Sequence, residues 1–303
     1  MDYFHFAIAS DWEYDRDFID IVEEKARHLN LSTYVIWPYN LEETIRLIEE
    51  KKLSFGFLFD RASDTSPEFQ ALQKRLRKQN VKLLDSWEQL RWTSDKATMH
   101  LEFLNRGLHT PYTIILPPFD SHEKILLSLE DLSHLGRPFI IKPANTTGGG
   151  IGVVDGAETL QDVLNARQEF QQDKYLLQEK VIPLEKDDRR FWFRGFYSCG
   201  VAQCAWWNDL THLYTRLSLE EIGKYHLQAL FEIVRTIAEI SRLNFFSTEI
   251  ALNQSGQFVI VDYVNEVCDM RLQSRHFDGV PDSIVHTIAE SIVGYVRNRL
   301  ADQ

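Results

Sequence analysis

The sequence predicts two architectures in one chain: an N-terminal α/β domain on a parallel sheet, then a two-lobed α+β region. Three observations predict it. Short β-rich runs alternate with helical periodicity over about the first 90 residues. A glycine-rich stretch lies between β-like runs at 139–142 and 151–154, and two later β-like runs are split by a turn at 253–256. The domains expected are 1–92, 93–180 and 181–303, and 303 residues with 44% apolar content suffice for several packed layers.

In the first domain, β-like runs at 4–9, 32–37, 53–59 and 81–84 alternate with helical segments near 15–29, 41–51 and 67–80. That βαβαβαβ order reads as parallel strands, because each parallel pair needs a crossover that a helix supplies. Phe18, Val22, Ala26 and Leu29 recur at helical spacing and form one apolar stripe. The residues after the first strand, Ala9, Ser10, Asp11 and Trp12, lack GxGxxG, and GxxxxGK[ST] is absent throughout. Neither a Rossmann dinucleotide site nor a P-loop is supported.

From 94 onward the texture predicts a helix over 96–105, a strand over 112–116, a polar helix over 122–133 and a strand over 138–142. Strands follow at 174–182, 190–196 and 200–207. One long amphipathic helix is expected over 219–243, burying Ile222, Leu230, Ile233, Val234, Ile237 and Ile240. Strands at 247–252 and 258–264 flank the hairpin signal Asn253-Gln254-Ser255-Gly256. A last helix carries Ile284, Ile288, Ile292, Val296 and Leu300 four apart.

Charge and cysteine content exclude several functions. With 33 basic and 45 acidic residues the formal net charge is -12, so the average field repels nucleic acid and anionic membrane. Any polyanionic ligand needs a local cluster of cations. Cys199, Cys204 and Cys268 lack CxxC spacing and read as reduced, buried thiols. No apolar run approaches a membrane span and the N-terminus has no secretory pattern, so a cytoplasmic location is expected.

The glycine-rich stretch, Asn145 through Val154, is followed by a β-like run and not by a helix. Its glycines therefore cap a hairpin, either a mobile loop with no ligand or a flap on which Thr146, Thr147, Gly148, Gly149 and Gly150 offer hydroxyls and bare amides that can fold over a polyphosphate. Lys142 ends the preceding strand and supplies a point charge for phosphate. Gln178 and Glu179 interrupt an apolar strand, which places polar groups against a ligand or solvent. Glu249, Asp262 and Asn265 lie on and just after strands that pair, and such hard oxygens suit Mg²⁺.

From Asp95 to about Arg271 the order of these features resembles the ATP-grasp superfamily. Lys96, before a helix and the run Gly107-Leu108-His109-Thr110-Pro111-Tyr112-Thr113, resembles that family's first nucleotide lysine and its following motif. Lys142 in Ile141-Lys142-Pro143 matches the second lysine, and 147–153 the flap over the phosphates. Gln178-Glu179-Lys180-Val181 matches the hinge, where the resemblance implies that Glu179 and the Val181 backbone meet adenine and that Glu185 or Asp187 takes the ribose. Arg190 resembles the arginine near the transferred phosphate or the acceptor, and Arg271 is expected to face the site with it. Glu249, Asp262 and Asn265 resemble the magnesium set, for one or two Mg²⁺ with Mn²⁺ as an alternative.

Two features depart from the family. Asp262 and Asn265 are three apart, so strand alternation puts them on opposite faces unless a bulge intervenes, and Glu266 is an alternative ligand. The family's proline-glycine turn is replaced by Val267-Cys268-Asp269-Met270-Arg271. The resemblance, which extends to the grasp domains of ribosomal-protein glutamate ligases, D-alanine:D-alanine ligases and glutathione synthetases, implies an ATP- and Mg-dependent ligase. Such an enzyme converts the carboxylate of a small molecule or peptide to an acylphosphate for attack by an amine or thiol, often as a homodimer. A kinase of a small molecule such as a polyol phosphate, or a nucleotide-binding module without turnover, stays open at this point.

Overall fold

The computed structural model of the chain describes residues 1–145 and 150–301. The N-terminal domain comprises β1 (Asp2–Ser10), α1 (Arg16–His28), β2 (Thr33–Ile36), α2 (Pro38–Glu49), β3 (Leu53–Arg61), α3 (Pro67–Lys78) and β4 (Lys82–Leu83). Its strands pair in parallel in the order β2-β1-β3-β4. The latter half of β1 and nearly all of β3 are buried, as central parallel strands covered on both faces must be. Pro38 and Pro67 open α2 and α3, where a missing N–H costs nothing.

A connecting helix, α4 (Trp87–Ser94), was not signalled by periodicity: its eight residues are too few to set a stripe, and the Ser86 hydroxyl caps it. The central lobe follows as α5 (Lys96–Asn105), β5 (Thr113–Leu116), α6 (Leu129–Leu135), β6 (Phe139–Pro143), β7 (Val154–Ala157), α7 (Leu160–Ala166) and β8 (Tyr175–Glu179). Its antiparallel sheet runs β5-β8-β6-β7. The helix expected over 122–133 forms only from Leu129. His122 is left-handed at φ 54°, and the helix starts where Ser128 and Asp131 make a capping box.

The third region holds the ribbon β9 (Glu185–Lys186) and β10 (Arg189–Arg190), then β11 (Trp192–Ser198), β12 (Val201–Trp207), β13 (Tyr214–Arg216), α8 (Leu219–Tyr225), α9 (Gln228–Ser241), β14 (Phe245–Leu252), β15 (Phe258–Asn265) and α10 (Asp282–Ala301). The antiparallel sheet is β13-β12-β11-β14-β15. Two helices stand where one was expected over 219–243. His226 takes φ 56°, and the Leu227 N–H bonds back to the Ile222 carbonyl at 3.0 Å, closing α8 like a left-handed C-cap. The turn buries Leu227 completely at the head of α9.

Helix α10 is wedged between α1 with the parallel sheet on one side and β11 and β12 on the other, so Phe18, Phe57, Phe196, Phe245, Ile288 and Ile292 share one core. No helix among the described residues is long and apolar enough to cross a membrane. The seam between the N-terminal domain and the loop after β15 is fixed by Arg61 at the end of β3. Its Nε and Nη2 donate to Asp15 at 2.7 and 2.6 Å, Nη2 also reaches the Cys268 carbonyl at 3.0 Å, and both side chains of the ion pair are 1% exposed. Arg61→Met leaves the Asp15 charge buried and alone, and should lower the unfolding free energy in urea by about 3–5 kcal/mol. Combining it with Asp15→Leu should recover part of that loss.

Candidate functional site

The site starts from strand pairing. On β14 and β15, Ser247 opposes Asn265, Glu249 opposes Asp262, and Ile250 opposes Ile260, with a register shift on either side of Glu249. Each shift inserts one extra residue into β15, as a bulge does. Asp262 and Asn265, three apart, thus stand opposite two β14 residues that are only two apart. The bulge resolves the alternation conflict read from the sequence.

Arg194 opposes Glu249 from β11 and makes an ion pair with it, while its Nε donates to Ser247 Oγ at 3.2 Å. One guanidinium touching both residues places them on the same face. Trp192, two residues earlier on β11, donates its indole N–H to Glu249 at 3.1 Å. The guanidinium at the carboxylate pair is therefore that of Arg194. Arg190 is held instead by Asp209 at 2.8 and 2.9 Å and by Glu185, and Arg271 by Asp269 and Asp278.

Lys142 reaches across from β6. Its Nζ donates to the Val261 carbonyl at 3.0 Å and lies 5.2 Å from the centre of the Tyr263 ring. Burial pushes its ammonium down to about 8, against the pull of Asp262 and with the help of nearby Lys96. Beneath it the Tyr263 hydroxyl shares hydrogen bonds of 2.7 Å with His100 Nδ1 and with Gln178 Nε2. Burial and the Lys142 charge take His100 down to about 4, so it is neutral at pH 7. Lys96 is set by its helix cap: Asp95 accepts from the Ala97 N–H at 3.0 Å, and the Lys96 N–H donates to the Ala144 carbonyl at 3.0 Å.

The two carboxylates respond in opposite directions. Burial pushes Glu249 up, Arg194 opposes this, and Asp262 adds to it. Asp262 is only half-buried, and Lys96, Lys142 and Arg194 together outweigh the cost of its desolvation and hold its carboxyl low. Glu266 is 8% exposed with no hydrogen-bond partner on Oε2, and burial raises it to about 7. Among the described residues no three His, Cys, Asp or Glu side chains are arranged to hold a metal. Two carboxylates and an amide fit Mg²⁺ or Mn²⁺ nonetheless, because such ions complete their shell with substrate phosphates and water.

The remaining sequence-derived positions are spread along one seam. The Glu179 carboxylate accepts from the Tyr112 N–H at 2.9 Å, Lys180 pairs with Asp155 at 2.8 Å, and the Gln178 amide is spent on Thr113 and Tyr263. A cavity of about 240 Å³ lies between 179–182, including Val181, and the hairpin turn at 253–255. Glu185 faces Arg190, and Asp187 pairs with Lys224 at 2.8 Å and accepts from the Tyr225 hydroxyl at 2.9 Å. β6 and β7 pair antiparallel, so the glycine-rich stretch does join a hairpin. Gly150 opens its return at φ 73°, while Thr146, Thr147, Gly148 and Gly149 lie outside the described residues.

Sequence reasoning missed Arg194 and Trp192 as site residues. The available signal was a charged residue in the middle of the apolar run Trp192–Ser198.

No protein-family model matches the sequence, and no curated protein does. Solved structures do. A RimK domain protein ATP-grasp from Sphaerobacter thermophilus aligns with TM-score 0.61 at 16% identity, over 96% of this chain and 98% of that one. The D-alanine–D-alanine ligase of Bacillus anthracis complexed with ATP aligns with TM-score 0.66 at 13% identity, over 99% of each chain. The ATP-grasp ligase PsnB, complexed with precursor peptide PsnA2 and AMPPNP, aligns with TM-score 0.62 at 12% identity, over 96% and 98%. The chain has the ATP-grasp fold from end to end.

The low-lying Lys142 has a consequence for stability. The unfolded chain holds that proton up to the ordinary lysine value of 10.5, so the folded state is penalised below about 8 and the penalty is relieved as pH rises between the two. Urea midpoints measured between about pH 7 and about pH 9.5 should therefore rise more, or fall less, in the wild type than in Lys142→Met.

Proposed function

We propose that the chain is an ATP-dependent ligase that activates an acceptor carboxylate as an acylphosphate for attack by an amine or thiol. The observation that carries this reading is convergence: Lys142 from the central lobe and Arg194 from β11 meet the opposed Glu249 and Asp262 at one seam. A seam with two cations and two acids suits a polyphosphate and its divalent ion.

In this reading Lys96 and Lys142 neutralise the β- and γ-phosphates, and the amides of Gly148, Gly149 and Gly150 with the Thr147 hydroxyl cover them. Glu179, Lys180 and the Val181 backbone edge the adenine in the cavity beside them, with Gln178 fixing the strand from behind. Glu185 and Asp187 serve the ribose once released from Arg190 and Lys224. Glu249, Asp262 and Asn265 would hold Mg²⁺, which would supply charge neutralisation to the phosphates. Arg194 takes the place beside the transferred phosphoryl for which Arg190 was expected, and Arg190 and Arg271 remain on the acceptor side.

The chemistry then balances without a side-chain nucleophile. An acceptor carboxylate oxygen attacks the γ-phosphorus, the bond to the β-phosphate oxygen breaks, and ADP leaves. The amine or thiol then attacks the acyl carbon, loses its proton, and inorganic phosphate departs. Positioning and fixed charge supply the rate. A cationic Lys142 is better placed in the transition state than at rest, because phosphate charge offsets its burial.

ADP release with Mg-ATP, screened over amino acids, peptides, hydroxy acids and polyol phosphates, should identify an acceptor whose activated form is trapped by hydroxylamine as a hydroxamate. Lys142→Ala should then reduce the turnover by about 100-fold or more. Undiminished turnover in that variant would sink the reading. A stable phosphorylated product, with no hydroxamate, would indicate a kinase.

A further inference from the structure

We propose that Trp207 is a positioning residue for Arg194, and that the loop joining β12 to β13 is built to hold its indole in place. The assignment rests on the ligase reading, in which Arg194 stands beside the transferred phosphoryl.

Strand register brings the two side chains together. Arg194 opposes Ala205 on β12, and Trp207 stands two residues further along that strand. Alternate residues of a strand share a face, so the indole is the diagonal neighbour of the guanidinium. The Arg194 Cζ lies 5.8 Å from the centre of the Trp207 ring, within the range at which an aromatic face attracts a cation. The other sides of the guanidinium are engaged: Nε donates to Ser247 and Nη1 to Glu249. Nη2 makes no hydrogen bond with any of the described residues. A guanidinium held by Ser247, Glu249 and the indole keeps that one donor for an anion.

Trp207 is itself clamped. The His212 ring stacks on it with centres 5.6 Å apart and planes 7° apart, and Tyr214, its partner across the strand pair, packs at 4.4 Å. The turn that delivers His212 is specified by hydrogen bonds. Asn208 Oδ1 accepts from the Leu210 and Thr211 N–H groups, each at 2.9 Å, and the Asn208 carbonyl accepts from the His212 N–H at 2.8 Å. His212 takes φ 59°, a left-handed backbone that residues other than glycine seldom adopt. Asp209 in the same turn holds Arg190 at 2.8 and 2.9 Å, so one loop fixes both arginines.

Core packing does not account for this clamp. Trp207 is half-buried and His212 exposed, and among the described residues the indole belongs to none of the four hydrophobic cores. What the stack orders is the ring beside Arg194. Because both rings lie outside the cores, they can be replaced without opening a cavity in one.

Two measurements on the full chain test this. The Nε–H NMR signal of Arg194, assigned by its absence in Arg194→Lys, should move in Trp207→Leu and in His212→Ala, and should stay in place in His212→Phe, which keeps the stack. Binding of Mg-AMPPNP should weaken about threefold or more in Trp207→Leu while Mg-ADP binds as to the wild type, because only the first ligand carries a γ-phosphoryl. A merely structural role would weaken both nucleotides together. An Arg194 signal unmoved in Trp207→Leu, or equal losses for the two nucleotides, would overturn the assignment. If the wild type binds neither nucleotide, the ligase reading fails and the role at the phosphate fails with it, whereas the NMR comparison still decides whether Trp207 holds Arg194.

Discussion

Two half-buried carboxylates, Glu249 and Asp262, face each other across paired strands, and the rest of the site is arranged around that opposition. Like charges directly opposite in a sheet are destabilising, and burial raises the cost of each. The compensation comes from three separate elements: Arg194 on β11, Lys142 on β6 and Lys96 at the start of α5. Because Lys142 belongs to the central lobe and the acids to the C-terminal sheet, neutralising the pair also fixes how the two lobes meet.

The compensation is incomplete in an informative way. Lys142 is held below its ordinary range and Glu249 above its own, so neither is at ease with its charge. Removing either acid would relieve its partner but strand the cations, and removing Lys142 would leave Asp262 less supported. Such mutual strain is what a site tuned for an added anion and cation requires. The uncharged layer below is settled by contrast. Tyr263 sits under Lys142, bonded to His100 and Gln178 from two other elements, and it supports the ammonium without demanding a charge of its own.

Legibility in the sequence followed the range of the interaction. The parallel domain was readable because alternating β and helical runs admit few other layouts, and the helix over Lys96–Asn105 was readable from its cap and its end. The break between α8 and α9 was not, since the apolar stripe continues across His226 and only the burial of Leu227 reveals the turn. At the site, Lys142, Glu249 and Asp262 carried local signals of strand position and turn. Arg194 did not. Its part depends on register across β11 and β14, a non-local fact, whereas Arg190 and Arg271 drew attention by sequence neighbours and are bound by acids on nearby loops. The bulged register around Asp262 is equally a property of two strands together.

The end of β3 shows how a buried ion pair can fix a seam without satisfying every polar group beside it. Nε and Nη2 of Arg61 are held there by Asp15 and a backbone carbonyl while its Nη1 has no hydrogen-bond partner, and three residues on Asp64 retains an oxygen with no donor. The buried ion pair fixes the guanidinium, so Arg61 Nη1 and Asp64 Oδ1 each stay without a hydrogen-bond partner. A flexible loop would have collapsed onto its own charges. Rigidity of the Arg61–Asp15 pair is what keeps both polar atoms unpaired where the N-terminal domain meets the loop after β15.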